Sequence, residues 1–324
     1  MATVTKLKAA VNNKNLPILG LNGNLYSYYY GNYFNKIVEK GYTPTLSEKE
    51  ALEAFIQDGV NNGWIDIVDY FLPLIGDSTH LSAATVPLID NIGNYAMEEY
   101  DGTEDFSNSF EVNSVNNKIK YYHRAQYTSS QLKSPCTVSS MNGGISFSGY
   151  IPTPEVFTVG DTYNDYYASI GDENKYFFGI RFSQVPSGTK YHTIGYLKNT
   201  TDTAMTHLTI GHPSREIIEY LNEHEKSLIV SYALYKKDGA VKRLRGFLDE
   251  VGNKSFENSV PPGDEVQYPD YSYVTNKMIF GSRTNLVPEQ KFGCIAVLNA
   301  PIVTETKINY YNSAVYTLMI ALGK

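Results

Sequence analysis

The hydrophobic positions of residues 277–324 recur first at strand spacing and then at helix spacing. Runs 278–283 and 291–298 are short, apolar and rich in β-branched residues, a composition typical of strands. After a polar start at 303–307, apolar residues return every three or four positions, which predicts a helix with one buried face. That face comprises Ile308, Tyr311, Val315, Leu318, Met319 and Leu322.

A second amphipathic helix is predicted from about residue 47. Ser47 can cap the first turn, Glu50 can complete a capping box, and Gly63 can take the left-handed conformation that ends the helix. Apolar residues again fall on one face, so we expect this helix to pack beside the closing helix of the chain. Its apolar residues are Leu52, Phe55, Ile56 and Val60.

The next segment predicts short mixed elements. Residues 64–69 predict a helical turn, 70–75 a buried strand whose Pro73 favours a sheet edge, and 78–88 a further short helix.

From about residue 92, short β runs separated by turn residues recur roughly every ten positions, as in a β-sandwich or barrel. The clearest hairpin joins 228–235 to 241–247 through Asp238-Gly239, whose positive φ angles suit a tight turn. Segment 215–225 fits either a helix or a strand. The other predicted strands are 118–123, 144–150, 175–182, 191–197 and 207–211.

Residues 1–46 predict an arm rather than a domain, because the segment is polar and asparagine-rich before it becomes aromatic. A bare tyrosine-rich run would be prone to aggregate, so it should be covered by its own chain or by a neighbouring one. If a neighbour covers it, the contact residues are Tyr26, Tyr28, Tyr29, Tyr30, Tyr33 and Phe34.

Composition and charge limit the possible partners. With 324 residues, 42% of them hydrophobic, the chain can bury a large core. A net charge of −7 with 27 basic residues argues against nucleic acid, and the basic residues at 236–245 fit a solvated hairpin tip. The chain has no apolar run long enough for a membrane span and no signal-like start, so we expect synthesis in a cytoplasm. There, Cys136 and Cys294 are expected to be free thiols, with a single disulfide as the alternative.

Together these patterns resemble the concanavalin A-like (laminin G-like) jelly-roll module of tailed-bacteriophage virion proteins. The resemblance rests on the helix at 51–56 followed by Gly63-Trp64-Ile65-Asp66, on the turn at 235–239, and on the closing strand, strand and helix. It covers about residues 47–324. It implies a mainly β protein: a concanavalin A-like jelly-roll β-sandwich with a few peripheral helices, preceded by the arm at 1–46.

The same fold houses lectins, polysaccharide hydrolases and inert structural modules, so function has to be argued from a site. Relatives that cleave β-glucans carry a Glu-x-Asp-x-x-Glu strand, whereas Glu216 and Glu219 here lack the middle acid. The chain has no Gly-x-Ser-x-Gly elbow and no phosphate-binding loop. His192, His207 and His212 could converge on a metal, and residues 161–165 could hold calcium, but ordinary histidines and a turn are the favoured interpretations.

The sequence therefore predicts no enzyme activity, cofactor or metal, and leaves two functional hypotheses. The first is a structural component of a phage virion (capsid, neck or tail), made in the host cytoplasm, that docks through residues 1–46 onto other virion proteins and copies of itself. The second is an adhesin that binds host-surface glycans through exposed tyrosines, of which the chain has 28 against one tryptophan. The candidates, in turn-rich segments, are Tyr163, Tyr166, Tyr167, Tyr268, Tyr271 and Tyr273.

Overall fold

Antiparallel strands dominate the computed structural model of the protein. It describes residues 27–91, 98–99, 109–123, 132–137, 144–152, 163–171, 176–184, 190–196, 206–209, 228–237, 240–249, 252, 254–259, 277–280 and 291–324. Within these residues there are three α-helices: α1 (Asn32–Glu39), α2 (Leu46–Asn61) and α3 (Glu305–Ala321). A π-helical turn (Ser27–Gly31) precedes α1, and 3-10 turns occupy Ile65–Ile67, Leu81–Thr85 and Ala300–Ile302. None of the helices described is long and apolar enough to cross a bilayer.

The strands are numbered in chain order. They are β1 (Val68–Leu72), β2 (Ile89–Asp90), β3 (Glu98–Glu99), β4 (Phe110–Val112), β5 (Ile119–His123), β6 (Leu132–Thr137), β7 (Gly144–Ile151), β8 (Tyr163–Gly171), β9 (Tyr176–Gln184), β10 (Lys190–Tyr196), β11 (Thr206–Thr209), β12 (Leu228–Lys237), β13 (Ala240–Asp249), β14 (Lys254–Ser259), β15 (Lys277–Phe280), β16 (Lys291–Phe292) and β17 (Cys294–Leu298).

Two seven-stranded sheets and one three-stranded sheet result from their pairing. The first sheet has the order β14-β13-β12-β7-β17-β1-β2, the second β11-β10-β9-β8-β15-β6-β3, and the third β16-β5-β4. This architecture confirms the predicted mainly β class and is consistent with a β-sandwich, while the jelly-roll topology stays a prediction. The predicted hairpin is confirmed, since β12 and β13 pair from Leu228↔Asp249 to Lys237↔Ala240. The ambiguous segment 215–225 lies outside the described residues.

The N-cap of helix α2 lies two residues earlier than the sequence predicts. Thr45, not Ser47, is the N-cap: its backbone is extended, and its side chain accepts a hydrogen bond from the Glu48 amide. Glu48, not Glu50, completes the capping box, because its carboxylate accepts from the Thr45 amide at 2.7 Å. The predicted end is confirmed, with Gly63 at φ +69° just beyond the helix.

Two predictions about strands are wrong: that the strand containing Pro73 lies at a sheet edge, and that residues 291–298 form one strand. Strand β1 lies between β17 and β2, so it is not an edge strand, and it ends at Leu72, which leaves Pro73 outside the hydrogen-bonded ladder. The predicted strand at 291–298 is divided at Gly293: β16 pairs with β5 in the three-stranded sheet, and β17 pairs with β1 and β7. A Cβ at Gly293 would lie only 2.5 Å from the Tyr150 ring, so only glycine fits at this crossing.

Helices α2 and α3 cover one face of the first sheet. As predicted, they pack side by side. The Trp64 ring, just after α2, lies 5.4 Å from the Tyr311 ring of α3, and Phe55 lies 4.6 Å from Phe71 of β1. Trp64, Phe71 and Tyr311 are fully buried, and side chains of this size stabilise the fold by about 1.5–3 kcal/mol each.

The opposite face of the first sheet meets the three-stranded sheet. Phe147 of β7 lies 5.6 Å from Phe292 of β16, whose ring stacks on Tyr122 of β5 at 6.2 Å. Because strand residues alternate between faces, Ser146 and Ser148 point instead to the helical side. The first sheet is thus buried on both faces along β7 and β17.

The described part of the predicted arm belongs to the same core. Tyr29, Tyr33, Ile37 and Tyr42 are buried together with the residues of α2. The predicted boundary at residue 46 thus falls within a continuous hydrophobic cluster, while residues 1–26 of the predicted arm lie outside the described residues.

Replacing Gly293 tests the crossing between β16 and β17. We expect Gly293→Ala to lower the free energy of unfolding by about 1–3 kcal/mol, because the new methyl group meets Tyr150 and Met319. Gly31→Ala is the matched control: its Cβ meets nothing within 4 Å, and alanine should stabilise this helical position by about 0.5–1 kcal/mol. Urea denaturation measures the free energy of unfolding of both variants. Equal changes in the two would contradict the close packing of Gly293 against Tyr150.

Candidate functional site

A surface groove of about 430 Å³ lies between α1 and the start of α2. Its apolar part is formed by Phe34, Val38 and Pro44, and Val38 is 52% exposed. Asn35, Glu39 and Lys49 form the polar rim. The groove therefore combines exposed apolar side chains with a polar rim, a combination that marks interaction sites where the apolar patch is larger.

The spacing along α1 produces this groove. Tyr33 and Ile37 lie one turn apart and are buried, while Phe34 and Val38, each one position later, border the groove. The Tyr30 ring contacts the Phe34 ring edge-on at 4.2 Å, and the Lys49 ammonium lies 5.6 Å from the centre of the Phe34 ring. These two contacts favour one orientation of the Phe34 ring.

The predicted assembly residues separate into two groups. Tyr29 and Tyr33 are buried in their own chain, and the Tyr29 hydroxyl donates to Asn91 at 3.1 Å, so for these two the intersubunit prediction is corrected. Tyr30 and Phe34 are half-buried and Phe34 borders the groove. Tyr26 and the side chain of Tyr28 lie outside the described residues.

A polar cluster formed by Tyr42, Glu48 and Lys118 joins the helices to β5, and we call it the Glu48 cluster. Tyr42 donates to the Glu48 carboxylate at 2.8 Å, and the Lys118 ammonium contacts both Tyr42 and the carboxylate. Burial and the hydrogen bond to Glu48 raise the pKa of Tyr42 well above its usual range. Both carboxylate oxygens are engaged within the fold, so this cluster holds elements together.

An Asp–His pair lies next to the Glu48 cluster, where the chain enters the 3-10 turn at 81–85. The Asp77 carboxylate accepts from the amides of Thr79 and His80 and lies 2.8 Å from His80 Nδ1. Burial alone would raise the pKa of Asp77, but the hydrogen bonds from Thr79 and His80 outweigh it and lower that pKa. The Thr79 hydroxyl also donates to the same Asp77 oxygen at 2.8 Å and lies 3.0 Å from His80 Nδ1, so these contacts are made within the turn and shape it.

A buried network of hydroxyl groups lies between α3 and the first sheet. Tyr311 donates to Ser148 at 3.2 Å, Ser148 and Ser231 are 2.8 Å apart, and Ser231 donates to Asn312 at 3.4 Å. All four residues are at most 1% exposed, so no substrate reaches these hydroxyls. Among the described residues, no imidazole or carboxylate contacts them, so none is activated as a nucleophile.

Lys324 anchors the end of α3. Its ammonium donates to the carbonyl oxygens of Pro73, Leu74 and Gly293 at 2.7–2.9 Å. Burial lowers the pKa of Lys324 to about 7. The neighbouring Cys294 is a free, buried thiol, so it forms no disulfide with Cys136, and burial raises its pKa to about 12, which leaves it unreactive.

The candidate glycan residues and the histidines considered as metal ligands lie partly in the second sheet. Tyr163, Tyr166 and Tyr167 belong to β8, which pairs with β9 from Tyr163↔Gln184 onward. In segment 161–165, where the sequence favours a turn over a calcium site, residues 163–165 are therefore part of a strand. His192 lies in β10 and His207 in β11. In the part of the chain that the structure describes, no three potential metal ligands cluster. Tyr268, Tyr271, Tyr273 and His212 lie outside the described residues.

Sequence reasoning missed the Glu48 cluster and the Lys324 anchor. Glu48 and Lys118 are 70 positions apart, and Lys324 and Pro73 are 251 apart, so no local spacing connects them.

The groove could have been predicted from the spacing of residues 33–38. Tyr33 and Ile37 are one helical turn apart and buried, and Phe34 and Val38, each one position later, are partly or fully exposed. The many tyrosines of this segment gave no indication of which side chains are buried.

Comparison with known proteins identifies no family. No protein-family model matches the chain, and no curated protein matches it. Among solved structures, the chain is similar to the CBM2 module of an evolved Dit of Lactobacillus casei BL23 phage J-1, with 8% identity and a TM-score of 0.32 over 61% of this chain and 84% of that chain. At this level the likeness carries no argument about fold or function.

Lys324 should make stability depend on pH. From pH 7 to about 8.5, the unfolded chain keeps this lysine protonated while the folded protein releases the proton, so the free energy of unfolding should rise with pH, by less than about 1.4 kcal/mol per unit. Lys324→Met should remove this rise. Urea denaturation at several pH values measures the free energy of unfolding of the wild type and of Lys324→Met. If this free energy changes equally with pH in both proteins, the lowered pKa of Lys324 is contradicted.

Proposed function

We propose that the protein is a non-enzymatic structural component of a bacteriophage virion that docks through its amino-terminal segment. The observation that carries this proposal is the groove beside α1, a partly apolar surface on the first α-helix that follows residues 1–26 in the chain. The sequence resemblance to jelly-roll modules of tailed-phage virion proteins supplies the setting.

The polar groups of the helical layer support a structural role. The Glu48 cluster, the Asp77–His80 pair and the buried hydroxyl network each make their hydrogen bonds within the fold. An active site needs polar groups that point toward a substrate and are left free to change partners. The described clusters have the opposite property, which suits a protein that must keep one shape.

Docking would combine the groove with the arm. Alone, the groove is too small for a stable interface, which usually buries more than about 1,000 Å² in total. Residues 1–26 can add contact area next to it, and several copies held in one particle strengthen a contact that is weak for each copy. The groove would then fix where the arm binds, with Phe34 as its preformed apolar base.

The proposal predicts which changes prevent incorporation into particles. Deleting residues 1–26, or making Val38→Glu, should lower incorporation at least about tenfold, because the glutamate would bury an unpaired charge in the groove contact. Val115→Glu is the matched control, since Val115 is 91% exposed on the β4–β5 turn and does not line the groove. Incorporation is measured in purified particles after circular dichroism shows that each variant is folded. Wild-type incorporation of both test variants would refute the docking role.

Glycan binding is the second candidate, favoured by the placement of Tyr163, Tyr166 and Tyr167 within the single strand β8. If the protein is purely structural, a glycan array should show no specific signal. A specific signal that disappears in Tyr163→Ala or Tyr271→Ala, but persists in Val115→Ala, would instead favour an adhesin that stacks sugars on tyrosine rings.

A further inference from the structure

Beyond its first turn, which contains Glu305 and Lys307, the solvent-facing side of α3 carries no charge. No Asp, Glu, Lys or Arg occurs from Ile308 to Gly323. Four exposed residues of this part are spaced three or four apart and form one stripe, which we call the α3 stripe: Tyr310, Ser313, Thr317 and Ile320. Tyr310 and Ile320 remain 46% and 58% exposed. The neighbouring α2 exposes Glu50 and Glu53, as a helix facing water usually does.

Two of the three hydroxyl groups of the α3 stripe, those of Ser313 and Thr317, are engaged within the helix, while that of Tyr310 lies at one end of the stripe. Ser313 donates to the Asn309 carbonyl and Thr317 donates to the Ser313 carbonyl, each at 2.9 Å. Because their protons are used in these bonds, the stripe offers water few unmet donors. Removing it from water therefore costs little polar solvation and gains the burial of Tyr310 and Ile320.

We propose that the α3 stripe binds the α3 stripe of a second copy, with the two helices antiparallel about a twofold axis. The spacing of the stripe is symmetric about Val315: Tyr310 and Ile320 lie five positions away on either side, and Ser313 and Thr317 two positions away. In an antiparallel pair, each Tyr310 meets Ile320 of the second copy, and each Ser313 meets Thr317 of the second copy. The small central residues allow the helices to approach closely while the large outer residues pack around them.

The absence of charge fits a second copy better than a different partner. A twofold contact places a surface against itself, so charged residues near the axis would meet their own kind and repel. The α3 stripe avoids this problem, and it presents no charge by which a charged partner could be selected.

The size of the stripe sets the strength of the contact. Ten residues of helix span about 15 Å, so one helix pair buries less than the roughly 1,200–2,000 Å² of a stable interface. The pairing should therefore be weak in dilute solution and become populated when copies are concentrated. This inference uses no residue of the groove and holds whether or not the protein occupies a virion.

Disulfide trapping tests the proposed geometry. Tyr310→Cys and Ile320→Cys are made separately in a Cys136→Ser background, and the two proteins are mixed under a mild thiol oxidant. We expect the mixture to form the mixed dimer at least tenfold faster than either protein forms a dimer alone. Val115→Cys in the same background measures collisional cross-linking, because its thiol is exposed but lies outside the stripe.

Each outcome decides the proposal. Faster linking of each variant to itself would mean parallel helices and would overturn the antiparallel arrangement. Linking of the mixture at the Val115→Cys rate would overturn pairing through α3 altogether. Cys294 is buried and should not contribute.

Sedimentation equilibrium provides an independent readout without cysteines. Ser313→Arg should weaken self-association at least tenfold, because a large charged side chain would occupy the centre of the twofold contact. Val115→Arg should associate like wild type. Similar thermal unfolding of both variants would show that the fold is intact, and unchanged self-association of Ser313→Arg would contradict the proposal.

Discussion

The burial of one sheet face by α2 and α3 is the interaction on which the rest of the structure depends. Strand β17 is buried on both sides, so it needs cover from the helices as well as from the three-stranded sheet. Trp64 and Tyr311 supply that cover where the two helices meet. The same contact joins distant parts of the chain, since β1 pairs with β17 and Lys307 donates to Asp66 at 2.6 Å.

Because the inner side of the helical layer is buried against the sheet, contacts with other molecules can form only on its outer surface. Polar side chains bond to one another in the Glu48 cluster and in the hydroxyl network beneath α3, although Asn312 Nδ2 and the Tyr33 hydroxyl are buried without a hydrogen-bond partner among the described residues. Its outer surface keeps two apolar features, the groove beside α1 and the α3 stripe. They lie on different helices, so one protein could contact a docking partner and a second copy at the same time. Such a division suits a component that is repeated in an assembly.

Local pattern predicted α2, α3, most strands and the hairpin, because those depend on periodicity and turn chemistry, but it missed α1, which lies in the segment predicted as an arm. Local pattern failed where more than one residue could fill the same structural role. Thr45 and Ser47 can both cap a helix, and only the extended backbone at Thr45 decides between them. Tyrosine suits cores and interfaces equally, so composition could not show that Tyr33 is buried while Phe34 borders the groove. Lys324 contacts residues far away in the chain, which no local pattern reveals.

We propose that this protein is a structural part of a bacteriophage particle, and quantitative mass spectrometry of phage purified on a density gradient tests this role most directly. Peptides of the protein should band with the particles at a constant ratio to the major coat subunit in every gradient fraction. A protein that remains in the soluble lysate and is missing from the particle band would contradict a structural role.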